Sequence, residues 1–115
     1  MESVIREYLR EYPEMLDNQI ISKGNPFGVM TATLRNGKLA FGWSVCHIND
    51  TFDKRIGNLI STNRMNQFDP CVEDVLIVPE DMCEAMERFI ERAQRYFRVT
   101  TSIRVLNGFD LSRNR

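Results

Sequence analysis

The sequence lacks the segments that mark membrane, secreted and metal-binding proteins. No apolar run approaches the roughly 20 residues that span a bilayer, and the charged N-terminal segment is unlike a signal peptide. The three cysteines, Cys46, Cys71 and Cys83, are odd in number and form no CxxC motif, which argues against a disulfide framework and a zinc knuckle. We therefore expect a soluble, cytoplasmic protein without a metal site.

Signatures of common enzymes are also missing. The chain has no glycine-rich phosphate loop, no HExxH, no GxSxG and a single histidine, His47. The 15 basic residues against 16 acidic ones give a net charge of −1, so there is no strong signal for nucleic-acid binding. From these absences we expect a non-enzymatic protein that needs no cofactor.

The composition that remains is that of an ordinary globular protein. With 115 residues, 43% of them apolar and 27% charged, the chain is long enough to bury a core of its own. We predict one domain over residues 1–115, with a frayed tail over residues 107–115.

The strongest local pattern is the dipeptide Asn36-Gly37, which lies between two apolar runs and is typical of a type I′ turn. It predicts a β-hairpin over residues 27–47. The register of a two-residue turn places four pairs on one apolar face: Leu34–Leu39, Ala32–Phe41, Met30–Trp43 and Gly28–Val45. The opposite face is small or hydroxylic, and we expect it to be less buried, or covered by another subunit or a ligand.

Apolar residues at helical spacing predict three helices, over about residues 2–12, 51–63 and 79–97. The first helix would end at Pro13. In the second, the predicted apolar stripe consists of Ile56, Leu59 and Ile60, and Gly57 indicates close packing against a neighbouring backbone. Candidates for capping this helix are Asn49, Asp50, Thr51 and Asp53.

Two further segments have strand character. Residues 75–78 (VLIV) predict a short buried strand, and residues 99–106 predict a last strand or, alternatively, extended coil. We therefore predict an α+β fold with a small antiparallel sheet of three or four strands, on which the three helices pack mainly on one face.

Several polar or aromatic residues near the end of the hairpin admit both a chemical and a structural interpretation. Cys46 and His47 form a candidate thiol–imidazole pair, but neighbours on a strand point to opposite faces. Asp50 and Asp53 are candidate acid–base carboxylates, although helix capping explains both. Trp43 is a stacking platform or, as its register favours, part of the core. We favour the structural interpretation, and a small hydrolase using Cys46 or His47 is the alternative.

Arginines cluster on the last predicted helix. Arg88, Arg92 and Arg95 share one face, Arg98 lies just beyond, and Arg64 adds a cation on the preceding helix. Arginine binds phosphate bidentately, so a nucleotide site is one interpretation. The other is a solvated, salt-bridged face, because acidic residues run alongside. Its predicted i,i+4 pairs are Glu84–Arg88 and Glu91–Arg95.

The segment after the hairpin resembles a pattern of small bacteriophage accessory proteins, GWSxCxxxDxFxKxxG. The matching residues are Gly42, Trp43, Ser44, Cys46, Asp50, Phe52, Lys54 and Gly57. The resemblance covers about residues 27–65, with a looser similarity in the helical segment FIERAQRYF. Where the pattern continues with Ile-Ala and Gly-Arg, this chain has Ile60-Ser61 and Asn63-Arg64.

Small phage proteins of comparable size include counter-defence sponges, one of them of the Thoeris anti-defence type, which sequester cyclic nucleotides between subunits of an oligomer. The resemblance implies a non-enzymatic accessory protein that acts by binding in the host bacterial cytoplasm, as a homo-oligomer. For a cyclic nucleotide or another phosphate-bearing ligand, we predict phosphate contacts from Arg64, Arg88, Arg92 and Arg95, and stacking on Phe52 or Tyr96. The alternative is an inhibitor that binds a host protein directly through an exposed helix face.

Overall fold

The computed structural model describes residues 3–10, 14–16, 19–22, 24–46 and 51–108. Its main sheet is antiparallel, with strand order β1-β4-β5. The described strands are β1 (Val4–Arg10), β2 (Glu14–Leu16), β3 (Gln19–Ser22), β4 (Pro26–Arg35), β5 (Lys38–Val45), β6 (Val75–Val78) and β7 (Arg104–Asn107). The described helices are α1 (Lys54–Gln67) and α2 (Cys83–Phe97), the latter preceded by a 3₁₀ turn, Glu80–Met82. The strands β2 and β3 form an antiparallel pair, and β6 and β7 form a parallel one.

The predicted hairpin is confirmed as β4 and β5. All four predicted pairs occur in the observed register, including Met30 opposite Trp43. Asn36 and Gly37 adopt φ angles of 53° and 80°, the left-handed backbone that a type I′ turn requires. The register places Ala32 and Phe41 on one face of the sheet and Thr31 and Gly42 on the other.

The predicted N-terminal helix over residues 2–12 is wrong, because Val4–Arg10 is the strand β1, paired antiparallel with β4. Ile5 and Leu9 point to one side of the sheet and are buried, while Tyr8 points to the other, where its hydroxyl contacts Asn58 of α1 at 3.2 Å. A strand that is covered on both faces has apolar residues at both odd and even positions. In Val4–Arg10 the spacing of these residues also fits an α-helix.

The predicted apolar stripe of α1 is also wrong. Ile56, Leu59 and Ile60 are exposed, and the buried residues of this helix are Gly57, Ser61 and Met65. The small residues allow the helix to approach the sheet face that was expected to be less buried, so that Thr31 Oγ1 lies 2.8 Å from Ser61 Oγ. The centre of that face is fully buried, with Val29, Thr31 and Thr33 at 0% exposure.

The second helix covers the opposite, apolar face of the sheet. Phe89 of α2 packs edge-on against Phe41, with ring centroids 6.3 Å apart. The fold is therefore α+β as predicted, but one helix lies on each face rather than all mainly on one, and the described residues contain two helices rather than three. The main core includes Ile5, Leu9, Met30, Ala32, Phe41, Val78, Met82, Met86, Phe89 and Ala93.

The remaining boundaries differ modestly from the prediction. Helix α1 continues through Gln67, beyond its predicted end at about residue 63, whereas the short strand over residues 75–78 is confirmed as β6. The predicted last strand is observed only as β7, paired in parallel with β6. None of the described helices combines the length and apolarity needed to cross a bilayer. Residues 109–115 of the predicted tail lie outside the described part.

Candidate functional site

Arg92, one of the predicted phosphate contacts, joins α2 to the edge of the sheet. Its Nη1 lies 2.8 Å from Glu7 Oε1 on β1 and donates to the Arg6 carbonyl at 3.5 Å. The guanidinium carbon is 6.0 Å from the centre of the Phe89 ring. Both charged side chains are about 40% exposed, at 43% and 40%, so the pair is only partly screened by water. This arginine thus has a structural role in holding α2 against β1.

Arg64 is engaged at the other edge of the sheet. Its Nη1 donates to the Trp43 carbonyl at 3.0 Å, and its guanidinium carbon lies 4.3 Å from the centre of the indole. The indole is half-buried and packs against the core. Arg64 therefore satisfies a carbonyl at the edge of β5, beside a cleft of about 400 Å³ between β5 and β6.

Each of the other three predicted ligand contacts, Arg88, Phe52 and Tyr96, contacts a different neighbouring residue. Arg88 is exposed and its Nη1 is 4.0 Å from Glu84 Oε2, which matches the predicted i,i+4 pair. Phe52 packs edge-on against Tyr8, at 6.4 Å between ring centroids. Tyr96 is 57% exposed and rests edge-on against Phe97, at 4.8 Å.

Phe52 also explains the glycine in α1. A Cβ at position 57 would lie 2.6 Å from the Phe52 ring, so Gly57 makes room for an aromatic ring rather than for the neighbouring backbone that we expected. Asp53, just before, caps α1 as predicted: its Oδ1 accepts from the backbone N–H of Arg55 at 2.9 Å and of Ile56 at 3.2 Å. Phe52 and Asp53 thus both stabilise the start of α1.

Arg95 lies in a cleft at the C-terminal end of α2, which we name the α2 cleft. It has a volume of about 780 Å³ and is lined by Gly37, Glu91, Gln94, Arg95, Arg98, Val99 and Thr100. One wall is the end of the helix and the segment that follows it, and the other is the turn between β4 and β5. The cleft is thus lined by one predicted ligand contact, Arg95, and by residues that were not predicted to contact a ligand.

The geometry of the helix end shapes this cleft. Helix α2 stops because Arg98 adopts a left-handed conformation, with φ 57° and ψ 43°. Its N–H and that of Val99 both point to the Gln94 carbonyl, and the Gln94 side chain accepts from Thr101 N at 2.9 Å. The reversed chain brings Thr100 beneath the last turn of the helix, into the cleft lining.

The α2 cleft has two uncompensated cations. The predicted Glu91–Arg95 ion pair does not form, and within the described part of the chain neither Arg95 nor Arg98 makes a side-chain hydrogen bond or ion pair. Glu91 lines the same cleft. From the sequence, Arg98 was placed only just beyond the last predicted helix. No pattern in the sequence indicates that Gly37 lines the same cleft.

Two of the three cysteines, Cys46 and Cys83, are only partly buried, and the third, Cys71, is exposed. Burial raises the pKa of the Cys83 thiol, and the carboxylates of Glu87, Glu80 and Asp81 raise that pKa further, so the group is held as a thiol. The Cys46 backbone N–H extends the hairpin ladder to Phe27 O at 2.8 Å. The predicted residues His47, Asn49 and Asp50 lie outside the described residues, among which no group of three His, Cys, Asp or Glu is placed to hold a metal ion.

A second candidate surface is the α1 outer face, formed by Ile56, Leu59 and Ile60. Their exposures are 48%, 62% and 38%, which is unusual for three large apolar residues on one helix. A shallow, mainly apolar cleft of about 430 Å³ on this face is bordered by two cations, Arg6 and Arg55. Arg6 is fixed there by a hydrogen bond from its Nη2 to Thr62 Oγ1 at 3.1 Å.

No protein-family model matches this chain, and no curated protein or solved structure matches it at a significant level.

Proposed function

We propose that the protein is a non-enzymatic bacteriophage accessory protein that sequesters a phosphate-bearing small molecule, such as a cyclic signalling nucleotide, in the α2 cleft. The observation that carries this proposal is the presence of two guanidiniums, those of Arg95 and Arg98, that line one cleft without an ion pair among the described residues. The setting in phage counter-defence rests on the sequence resemblance around residues 27–65.

The dimensions and chemistry of the cleft suit a nucleotide. The cleft is open to solvent, and its volume of about 780 Å³ is large enough for a small molecule, whose sites measure about 300 to 1,000 Å³. The cleft is lined by two arginines, whose forked donors match phosphate oxygens, and by Thr100, whose hydroxyl is a further potential donor. Neither of the two predicted stacking residues, Phe52 and Tyr96, lines the cleft, so the proposal rests on the phosphate contacts.

The backbone of Arg98 gives independent support. Left-handed helix ends usually carry glycine, because an L side chain there costs roughly 1 kcal/mol. The fold is thus less stable with arginine than with glycine at position 98, and Arg98 lines the cleft. Binding explains why an unfavourable residue occupies the position.

Titration calorimetry with cyclic nucleotides, using wild type, Arg95→Gln and Arg98→Gly, tests the proposal. Loss of a charged hydrogen bond costs about 1.5 to 3 kcal/mol, so each substitution is expected to weaken binding by roughly 10- to 100-fold. Arg98→Gly is expected to raise the melting temperature at the same time. Arg88→Gln is the matched control, because Arg88 lies on the same helix outside the cleft, and its affinity should stay within about twofold.

Two results would contradict the proposal. One is wild-type protein that shows neither calorimetric binding nor a thermal shift with cyclic nucleotides, and that releases no nucleotide detectable by mass spectrometry on heat denaturation. The other is binding that Arg95→Gln and Arg98→Gly leave unchanged.

The α1 outer face favours a second candidate function, direct binding to a host protein. Its apolar centre is bordered by Arg6 and Arg55, and no acidic residue lines its cleft, so the complementary partner carries an apolar contact with an acidic rim. This partner is a protein rather than a nucleotide, and it occupies a different surface from the α2 cleft.

A host protein captured from bacterial lysate, then purified and titrated with this protein, tests the second function. Leu59→Glu and Arg55→Glu are expected to weaken binding at least tenfold, and added salt should weaken it further. Val72→Glu is the control, because Val72 is an exposed apolar residue away from α1. Capture that survives Leu59→Glu would count against this function. Self-association abolished by Leu59→Glu would instead identify a second copy of the chain as the occupant.

A further inference from the structure

We infer that the outer edge of β1 and the adjoining cleft on the α1 outer face together bind an extended segment of a partner protein, which adds a strand to the main sheet. This inference rests on the second candidate function, direct binding to a host protein, and names the kind of segment that is bound. The α2 cleft has no part in it.

The strand β1 lies at one edge of the main sheet, and among the described residues no strand pairs with its outer side. The Cys46 N–H donates to the Phe27 carbonyl, which shows that the odd-numbered residues of β4 bond to β5. The even-numbered residues of β4 therefore bond to the odd-numbered residues of β1. The backbone groups of the intervening residues of β1 point outward, and these residues are Val4, Arg6 and Tyr8.

Most of these outward backbone groups are free. The Arg6 carbonyl accepts from Arg92 Nη1 at 3.5 Å, which agrees with its outward direction. The N–H groups of all three residues and the carbonyls of Val4 and Tyr8 make no hydrogen bond within the described part of the chain. An edge with such a row of donors and acceptors is a template for an added strand.

The α1 outer face provides a side-chain pocket beside this edge. Helix α1 passes along β1, since the Tyr8 hydroxyl lies 3.2 Å from Asn58 Oδ1 and Arg6 Nη2 donates to Thr62 Oγ1 at 3.1 Å. Arg6, Asn58 and Thr62 line the cleft of about 430 Å³ on this face. Side chains of a strand alternate between its two faces, so every second side chain of an added strand would meet this cleft.

The residues that line the cleft define the chemistry of the bound segment. Ile56 and Leu59 favour a large apolar side chain. Arg6 and Arg55 favour carboxylates, and no acidic residue of the described part of the chain lines the cleft. Side chains on one face of a strand are two residues apart. The segment therefore has an apolar residue, with an acidic residue two positions before it and two positions after it.

Titration calorimetry with a set of acetylated, amidated heptapeptides tests the inference. Each peptide has a different large apolar residue at its centre, glutamate two positions to either side, and threonine elsewhere. We expect members of the set to bind wild type with dissociation constants below about 1 mM. Lysine in place of both glutamates should weaken binding by about two- to tenfold. Arg55→Glu should remove this preference for glutamate, and Arg88→Glu is the matched control, since Arg88 lies on the other helix, outside the cleft.

Methylation of the peptide amides separates strand addition from other modes of binding. In a strand added to an edge, alternate amides bond to the neighbouring strand and the others face solvent. N-methylation of one alternate set should therefore weaken binding at least about tenfold, and N-methylation of the other set less than about threefold. The peptide should also slow hydrogen exchange at the amides of Val4, Arg6 and Tyr8, measured by nuclear magnetic resonance.

The outcomes distinguish this inference from the function on which it rests. Strand addition is overturned if no peptide binds below about 1 mM, if both methylated sets bind equally, or if Arg55→Glu leaves the preference for glutamate unchanged. Capture of a host protein that depends on Leu59 would then still support the second function. If no host protein is captured either, both are overturned. Wild-type protein that dimerises with the three amides protected in the absence of peptide would identify a second copy as the source of the strand, which overturns the assignment to a partner protein.

Discussion

At the scale of single residues, the closest approach of α1 to the sheet occurs at Gly42. A Cβ built at this position would overlap the Ser61 carbonyl oxygen and lie 2.5 Å from the Met65 backbone nitrogen. Both are backbone atoms of a helix and cannot move aside as a flexible side chain can. The missing side chain on β5 thus determines how closely the helix packs.

Gly42→Ala is expected to destabilise the fold by about 1 to 3 kcal/mol, because the added methyl group must push α1 away from the sheet. Urea denaturation at fixed protein concentration measures the loss. Gly37→Asn is the matched control: Gly37 has no atom within 4 Å of a built Cβ, and asparagine tolerates its left-handed backbone, so a change of about 1 kcal/mol or less is expected. Equal losses for the two variants would rule out close packing at Gly42.

The raised pKa of Cys83 leads to a second prediction at this scale. Because folding favours its thiol form, a smaller fraction is thiolate at any pH near neutrality, and alkylation should be slow. Exposed Cys71 is the internal control. Iodoacetamide labelling followed by peptide mass spectrometry between pH 7 and 9 should show Cys71 reacting first, with Cys83 gaining reactivity only at higher pH. Comparable rates at pH 7 would contradict the pKa direction.

At the scale of elements, α1 combines an inner face of small residues with an apolar outer face. The sheet face that it covers is itself small and hydroxylic, so large residues on the helix would not fit against Thr31 and Gly42. Gly57 and Ser61 fit instead, and Met65 reaches the core beyond them. The apolar outer face is therefore not needed to hold the helix in place.

Met65→Ala and Leu59→Ala test this orientation of α1. Met65 is 1% exposed, so its truncation should cost about 2 to 5 kcal/mol, whereas Leu59 at 62% should change the free energy of unfolding by no more than about 0.5 kcal/mol. Chemical denaturation at low micromolar concentration measures both. A larger loss for Leu59 would mean that the stripe predicted from sequence faces inward after all.

The elements that sequence predicted well are those whose signals are local. Asn36-Gly37 sets the hairpin register through its own backbone, and Asp53 caps α1 through N–H groups two and three residues away. The structure of Val4–Arg10 depends instead on β4, since Val4 pairs with Thr33, and no local pattern reveals that partner. The orientation of α1 likewise depends on the sheet surface that it meets.

The candidate site was predictable only in part, for the same reason. Arginine content on α2 indicated anion binding, and Arg95 does lie in the α2 cleft. Which arginines remain uncompensated depends on distant partners, however: Arg92 pairs with Glu7 and Arg64 with the Trp43 carbonyl. Arg98 enters the cleft because of its backbone conformation, which composition and spacing do not specify.

At the scale of the whole molecule, the sheet is the middle of three layers and Phe41 is one of its central contacts. Its ring packs edge-on against Phe89 of α2 at 6.3 Å and against Phe68, which follows α1, at 6.5 Å. A residue that contacts the elements of both outer layers couples them energetically. We therefore expect the layers to unfold together.

Phe41→Ala is expected to cost about 3 to 5 kcal/mol, and Phe41→Leu, which keeps most of the volume, considerably less. Urea unfolding followed by far-ultraviolet circular dichroism reports on the helices, and fluorescence of the single tryptophan, Trp43, reports on β5. The two midpoints should coincide in the wild type and shift together in each variant. Separate midpoints would show that the layers unfold independently.

Gly37 belongs to the turn that reverses the chain between β4 and β5, and it also lines the α2 cleft. A substitution at this glycine therefore affects two features at once, the chain reversal and the wall of the cleft. A mutagenesis library designed to alter ligand preference should therefore keep Asn36-Gly37 constant and vary the residues of the opposite wall. Changes in that wall do not disturb the hairpin.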